Sequence, residues 1–560
     1  MKLNEDQLLF MKNKQYLINE TIDERIDAIF KAVEKYEKDY HEVGFAERCK
    51  KWVNEKYISL STPQLANVGR DYSNRTPLLP CSCNIIGVGN SIDSIYKGAY
   101  EAAMLSKLGA GVGANFKKVF DGGTELRDGF KTNSKLDWIE DYVEVGKKVS
   151  QGSTRRGYIT PYESIESGEF WNLMDRIDKN NPNKKDPLLN NTCGIILESG
   201  FFDRLRDSDE LKKRYLYIIQ ERRLTGKIYL LNEDNCNKNQ SPVYVKLGHS
   251  VNSSNICCEA LTPNYSDMTF ACMLLSLNLS NWDIIKENKQ IIKDAFILLD
   301  IFVQMYIDLG ESINGIERAV KSATDKRDIG LGTLGFHDYL QSKMFSMGGL
   351  DSRRVNREIY KTIREVGEEY TKEFGERLGS PKLCQDAGLV RRNVSLMMVA
   401  PNKSTAFFMG TSEGVNPYTN NYNTSELAGI NTVFKNRHLK KLLAEKGKDN
   451  YDVWSSILDN IGSVQHLDFL TYDEKSVFKT ASEISPKDMI DLASDRQVYI
   501  DMGQSLNLWG RPNYTDVDVY NIHKYAWSKD IKTLYYMYPQ AHAVIEKQGG
   551  SWDSCESCAD

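Results

Sequence analysis

Ser254-Asn255-Ile256-Cys257-Cys258-Glu259 sets an amide, two thiols and a carboxyl within six residues. In an extended chain alternate side chains share a face, so the spacing predicts a strand over 254–259. Asn255, Cys257 and Glu259 then lie on one side, and Ile256 and Cys258 on the other. A buried cysteine alone is a small hydrophobe. The flanking amide and carboxyl need partners if buried, and packing alone does not explain them. Cys257, not Cys258, is the thiol that shares a face with Glu259.

Working outward, short apolar runs predict further strands over 83–88, 193–197, 227–231 and 394–399. Longer helical periods lie between them, such as 94–107 and 291–309. This alternation predicts an α/β domain with a largely parallel sheet. Residues 1–75 read as helical, with Ile26, Ile29, Phe30, Val33 and Tyr36 near the 3.6-residue period; Ser61, Thr62, Pro63 and Gly69 break the pattern. Gly109-Ala110-Gly111-Val112-Gly113 lacks the third glycine spacing of a dinucleotide fingerprint and reads as a structural turn. After Pro539 apolar residues thin out into a tail. The predicted organisation is a helical region over 1–75, a catalytic-sized α/β domain over 76–530, and a terminal segment over 531–560.

The 560 residues are 41% hydrophobic and 27% charged, with a net charge of −5. That balance suits a globular protein and argues against a bulk electrostatic nucleic-acid binder. No apolar run reaches membrane length; 295–309 is interrupted by Asp300, Gln304 and Asp308. The first 16 residues do not form a signal peptide. A cytoplasmic location is expected, with most of the eleven cysteines reduced.

Two more cysteines stand near apolar runs: Cys83 in Pro80-Cys81-Ser82-Cys83-Asn84, and Cys272 ahead of Leu277-Asn278-Leu279. The C-x-C spacing at 81–83 is poorly matched to a zinc knuckle and has no histidine nearby. Cys555-Glu556-Ser557-Cys558 has the spacing of a metal site or a reversible dithiol. Without a second C-x-x-C, thiol–disulfide exchange from a mobile tail fits better. The 19 residues from Tyr536 to Cys555 reach roughly 60 Å when extended. Adjacent Tyr535 and Tyr536 are packing residues by default, but a phenol can also lose an electron and a proton.

Together these features resemble the large (alpha) subunit of class I ribonucleotide reductase. The resemblance rests on Asn-x-Cys-x-Glu, a downstream cysteine before Leu-x-Leu-Asn-Leu, Ser-Cys ahead of an apolar strand, Tyr-Tyr, and a terminal C-x-x-C. Further segments agree in order from about residue 55: Ser61-Thr62-Pro63, Asp93-Ser94-Ile95, the loop Ser150-Gln151-Gly152-Ser153-Thr154-Arg155-Arg156-Gly157, Pro401-Asn402-Lys403-Ser404-Thr405, and Ser412-Glu413-Gly414-Val415-Asn416-Pro417.

The resemblance implies a ten-stranded α/β barrel of two five-stranded halves with a central finger loop. It implies thiyl-radical reduction of ribonucleotides, taken as the diphosphates. Cys257 would carry the radical, Glu259 would act as the base on the 3′ hydroxyl, and Asn255 would orient the sugar. Cys83 and Cys272 would supply electrons and end as a disulfide. Cys555 and Cys558 would reduce that disulfide and be reset by thioredoxin or glutaredoxin. Tyr535 and Tyr536 would relay an oxidising equivalent from a separate small (beta) subunit, which would hold the metal and radical cofactor; no metal or other cofactor is expected on this chain. Thr62, Ser82, Arg155, Ser404 and Thr405 would hold substrate. A homodimer is implied.

The sequence departs from the family pattern in two places. Residues 1–50 do not resemble the N-terminal ATP cone of many relatives, so a compact form without overall on/off control at that site is expected. In the specificity-effector region Asn90 stands where an acidic residue is expected and an arginine near Phe120 is missing, so that Asn90, Lys118 and Arg127 are the candidate effector contacts. Three other readings stay open: the adenosylcobalamin-dependent class of the same family, a binding protein with inert core cysteines, and a zinc-dependent protein.

Overall fold

The computed structural model describes residues 1–73, 76–149, 157–427 and 430–538. It opens with helices Glu5–Asn13, Ile22–Glu34, Glu37–Tyr40 and Phe45–Asn54. Asn4 and Thr21 start the first two through reciprocal capping boxes. Ile26, Ile29, Phe30 and Val33 are buried, as their period predicts. Strand β1 (Ile58–Leu60) and helix Thr62–Asn67 follow.

Five strands then run parallel in successive ladders: β2 (Cys83–Gly87), β3 (Gly111–Asn115), β4 (Ile159–Ser164), β5 (Gly194–Leu197) and β6 (Tyr229–Asn232). Every residue in them is buried, as expected of a parallel sheet covered on both faces. Helices such as Ile92–Lys107 and Asp209–Thr225 supply the crossovers that parallel pairing requires. The hairpin β7 (Val251–Ser254) and β8 (Leu261–Pro263) comes next.

A second series joins the first along both edges. Strands β9 (Thr269–Cys272) and β10 (Leu274–Asn278) are one run of chain interrupted at Met273. β9 pairs antiparallel with β2, while β10 pairs parallel with β11 (Gly330–Leu334) and antiparallel with β1. Hairpin β12 (Tyr422–Leu427) and β13 (Ile430–Lys435) intervenes. Past it, β14 (Leu508–Trp509), β15 (Thr533–Leu534) and β16 (Met537–Tyr538) repeat the joining device: β15 pairs antiparallel with β6 and β16 pairs parallel with β14. Parallel bridges Leu331–Met397 and Val399–Gln504 carry the second series across from β11.

The α/β expectation holds, and the sheets curl toward one another. The ladders, however, are a seven-stranded sheet ordered β15-β6-β5-β4-β3-β2-β9 and a three-stranded sheet ordered β1-β10-β11, together with two-stranded pairs. Among the described residues these ladders do not by themselves make up ten regular barrel strands. The strand expected over 394–399 contributes only its two bridges, because the amides of Leu396 and Met397 each donate to the Asp501 carboxylate at 2.9 Å. The turn expected at 109–113 is confined to Gly109, with φ +88; Gly111 already lies in β3. Barrel ladders also reach beyond 76–530, through β1 at one end and β15 and β16 at the other.

One buried carboxylate ties the N-terminal helices to the second series. Asp300 lies in helix Gln290–Gly310 and accepts from Tyr40 Oη at 2.7 Å, Arg327 Nε at 2.9 Å, Arg392 Nε at 3.0 Å and Asn393 Nδ2 at 2.9 Å. Burial alone would raise its pKa, but Arg327 and Arg392 reverse this and hold it well below the ordinary carboxylate range. A depressed carboxylate stabilises the fold above its unfolded pKa, and that contribution is lost as pH falls through the folded pKa. Asp300→Asn leaves two guanidinium groups without their charge partner and should cost about 3–5 kcal/mol. Denaturant unfolding at neutral pH checks this, and the variant should show a shallower loss of stability on acidification than the parent.

Candidate active site

The hairpin β7–β8 lies inside the curl of the first sheet, packed against β2, β3 and β6. Asn115 on β3 holds it there, donating from Nδ2 to Asn252 O at 2.9 Å and to Ser253 Oγ at 2.7 Å. Glycine makes the close approach possible. A Cβ on Gly113 would overlap the Ser254 carbonyl oxygen, and one on Gly111 would overlap the Ile256 side chain. The glycine-rich stretch is therefore the floor on which the hairpin lies, a role its spacing alone did not reveal.

The strand predicted over 254–259 ends at Ser254. Residues 255–260 form a tight tip, with Cys258 at φ +66. Asn255 and Glu259 meet across the turn instead of along a strand face: Asn255 Nδ2 donates to Glu259 Oε1 at 2.9 Å, and its Oδ1 accepts from Ala260 N at 3.1 Å. Asn255 and Glu259 do meet, but through a turn and not through strand alternation. The physical cause of the turn is that Asn255 caps it locally with its own amide.

Three groups outside the hairpin fix the tip. Ser505 Oγ sits 2.6 Å from Cys257 O and 3.1 Å from Glu259 Oε2. Gly503 N donates to Glu259 O at 2.8 Å. Tyr162 on β4 donates to Asn255 O at 2.7 Å and lies 3.3 Å from Cys258 Sγ. None of these was marked by the sequence. Cys257, Cys258, Asn255 and Glu259 are all buried.

Cys83 and Cys272 are Cα partners in the antiparallel β2–β9 ladder. Such partners lie about 4.5–5.5 Å apart, inside the roughly 4.4–6.8 Å span of disulfides. Cys83 is also paired in register with Gly111 across β2–β3, the residue against which Ile256 rests. The hairpin tip thus reaches the level of the two strand cysteines. Cys83, Cys257, Cys272, Tyr535 and Tyr536 all belong to one packed cluster separate from the main core. Cys272 Sγ lies 3.8 Å from Met398 Sδ.

Tyr535 and Tyr536 sit at the break between β15 and β16, their ring centroids 4.3 Å apart. Tyr535 N donates to Leu506 O at 3.1 Å, one residue from Ser505. A third phenol, Tyr229 on β6, packs 4.6 Å from Tyr535 and 5.2 Å from Tyr536. The arrangement gathers a buried thiol, a carboxyl, a pair of facing thiols and phenols in tilted contact, a set suited to one-electron and hydrogen-atom chemistry on a small polar substrate.

The other expected residues fall in two places. Thr62 opens helix Thr62–Asn67, Ser82 precedes β2, and Ser404 and Thr405 lie in the first turn of helix Lys403–Met409, which packs on β1; all four are buried. Asn402, at φ +59, ties that turn to the barrel by donating from Nδ2 to Ser276 Oγ at 2.9 Å. Asn90 and Lys118 are exposed beyond the C-terminal ends of the adjacent strands β2 and β3, and Arg127 is exposed on a short helical turn. Arg155, Cys555 and Cys558 lie outside the described residues. No helix among the described residues is long and apolar enough to cross a membrane.

The family model of the ribonucleotide reductase barrel domain matches residues 81–216, 210–382 and 382–537. The ribonucleoside-diphosphate reductase large subunit of Invertebrate iridescent virus 3 is 38% identical over 59% of this chain and 52% of its own length. Against that protein the chain spans about half the relative's length, and against its counterpart in Invertebrate iridescent virus 6 it spans 30%. The putative large subunit of Frog virus 3 is 28% identical over 90% of this chain and 94% of that one. Among solved structures, the Actinobacillus ureae class Id ribonucleotide reductase alpha subunit superposes with a TM-score of 0.86 at 31% identity, covering 96% of this chain and 97% of that one.

Two outcomes test this geometry. Gly113→Ala should displace the hairpin and lower thermal stability, measurable by calorimetry. A mild oxidant should join Cys83 to Cys272 in preference to other cysteine pairs, detectable by mass spectrometry of the unreduced digest.

Proposed function

The chain belongs to the ribonucleotide reductase family, and we propose that it is a class I large subunit that reduces ribonucleotides, taken as the diphosphates, to 2′-deoxyribonucleotides. The observation that carries this reading is that Cys257 and the register-paired Cys83 and Cys272 belong to one packed cluster. The names of the viral relatives, ribonucleoside-diphosphate reductase large subunits, support the diphosphate and large-subunit assignments.

In this reading Cys257, as a thiyl radical, takes the 3′ hydrogen atom of the ribose. Glu259, held by Asn255 and Ser505, accepts the 3′ hydroxyl proton, a role suited to a carboxylate in a dry pocket. The 2′ hydroxyl leaves as water with a proton from the cysteine pair. The second thiol of the pair delivers its hydrogen to C2′, so that Cys83 and Cys272 together give two electrons and two protons and become a disulfide, while Glu259 returns its proton to the 3′ oxygen. Cys257 then returns its hydrogen atom to C3′ and recovers the radical. Thr62, Ser82, Ser404 and Thr405 would bind the phosphates through hydroxyls and first-turn amides, with Arg155 at the base. Cys555 and Cys558 would reduce the disulfide by exchange and pass the electrons to thioredoxin or glutaredoxin.

Tyr535 and Tyr536 carry the oxidising equivalent inward, and a small subunit supplies it from its own metal and radical centre. The adjacent phenols in ring contact and the class Id structural neighbour favour this over the adenosylcobalamin-dependent class. A homodimer is supported by helix Ile92–Lys107, whose Ile92, Tyr96 and Tyr100 repeat at four-residue spacing with more than half of each side chain exposed. Asn90 and Lys118 beside that helix are candidate contacts for a nucleotide effector, with Arg127.

Reduction of a labelled ribonucleoside diphosphate, with and without the small subunit, tests the reading. Turnover should require the small subunit and fall to background in Cys257→Ser. Glu259→Gln should slow the reaction by about 10²–10⁴-fold while leaving substrate binding measurable. Turnover with adenosylcobalamin and no partner would contradict the class assignment.

A further inference from the structure

The aromatic stack does not stop at the tyrosine pair. Tyr536 and Tyr538 are two residues apart on an extended segment and so share a face. Their ring centroids are 5.4 Å apart at an interplanar angle of 31°. Tyr538 is also the register partner of Trp509 in the β14–β16 ladder, and those rings stack at 5.6 Å and 29°. Tyr535, Tyr536, Tyr538 and Trp509 therefore form a continuous column with contact-range spacing throughout.

The column has a direction. Tyr535 and Tyr536 are 1% and 2% exposed, Trp509 is 9% exposed, and Tyr538 is half-buried. Tyr229, the other neighbour of the pair, is fully buried and leads inward. Of the three phenols touching Tyr536, Tyr538 is the one on the side of the surface. A packing ladder needs only the rings at these positions; a redox path also needs the hydroxyl.

Resting on the radical reading above, the geometry points to Tyr538 as a third redox-active tyrosine, standing between Tyr536 and the one-electron oxidant of the small subunit. Tyr538 gives one electron to that oxidant and its phenolic proton to solvent or to the partner, and becomes a neutral phenoxyl. It then takes a hydrogen atom from Tyr536, which restores Tyr538 and leaves the radical on Tyr536. Tyr536 is restored in turn by Tyr535, and Tyr535 by the Cys257 thiol. Each transfer breaks one O–H or S–H bond and forms one O–H bond. Trp509 serves as the stacking platform that holds the outer ring in place.

The test is turnover of the complete complex of this subunit with its small subunit, comparing Tyr538→Phe with Tyr535→Phe. Phenylalanine keeps the stack and removes only the hydroxyl. The proposal expects Tyr538→Phe to lose at least tenfold in turnover at saturating small subunit, with small-subunit affinity and ribonucleotide affinity unchanged. It also expects 3-aminotyrosine at position 538, a more easily oxidised phenol, to give a radical signal by electron paramagnetic resonance on mixing with small subunit and substrate. Wild-type turnover in Tyr538→Phe beside an inactive Tyr535→Phe would overturn the proposal and leave the radical reading standing. So would activity restored by raising the small-subunit concentration, which would make Tyr538 a docking contact. Wild-type turnover in Tyr535→Phe as well would overturn the radical reading itself, and the proposal with it.

Discussion

The contact on which the site depends is the approach of the β7–β8 hairpin to β3. At Gly113 the Ser254 carbonyl occupies the space of a side chain, and at Gly111 the Ile256 side chain does. A polar hairpin inside a buried sheet is costly unless its backbone groups are satisfied. Asn115, Tyr162, Gly503, Ser505 and Thr533 supply that satisfaction from four separate segments. With the hairpin seated, its tip comes level with the cysteines at the end of the β2–β9 ladder.

The same groups that hold the tip also hold the phenols. Leu506, next to Ser505, accepts from the amide of Tyr535, and Thr533 Oγ1 donates to Cys258 O at 3.0 Å. Lys532 donates to the carbonyls of Asp501 at 2.8 Å and Met502 at 2.9 Å. Its burial pushes its pKa down to about 8. Asp501 in turn caps the amides of Leu396 and Met397. The price of bringing these segments together is regular strand geometry: the second series is stitched by bridges and side-chain caps where the first is a continuous parallel ladder.

Buried charge plays a different part farther out. Asp300 gathers Tyr40, Arg327, Arg392 and Asn393 from three segments. Those residues lead directly into the 394–399 segment and the N-terminal helices. Isolated, each ion would be strongly penalised; as a satisfied network they fix which segments neighbour one another. The architecture thus rests on local polar registration at two depths, the hairpin tip and the Asp300 cluster, with apolar packing filling the space between.

The sequence by itself determined the α/β class, the helical start and most of the first-series strands, and it singled out the candidate site residues, because period, composition and motif order are local properties of the chain. Cys257 was favoured over Cys258 on an alternation that the structure replaces with a turn, and 394–399 looked like an ordinary strand because its missing amide partners, the oxygens of Asp501, lie over a hundred residues away. Only the tertiary structure decided that Cys83 and Cys272 face each other in register, that Gly111 and Gly113 make room for a hairpin, and that Ser505, Tyr162 and Tyr229 belong to the site. Contacts between distant segments depend on how sheets close, and spacing along one chain carries no measure of that closure.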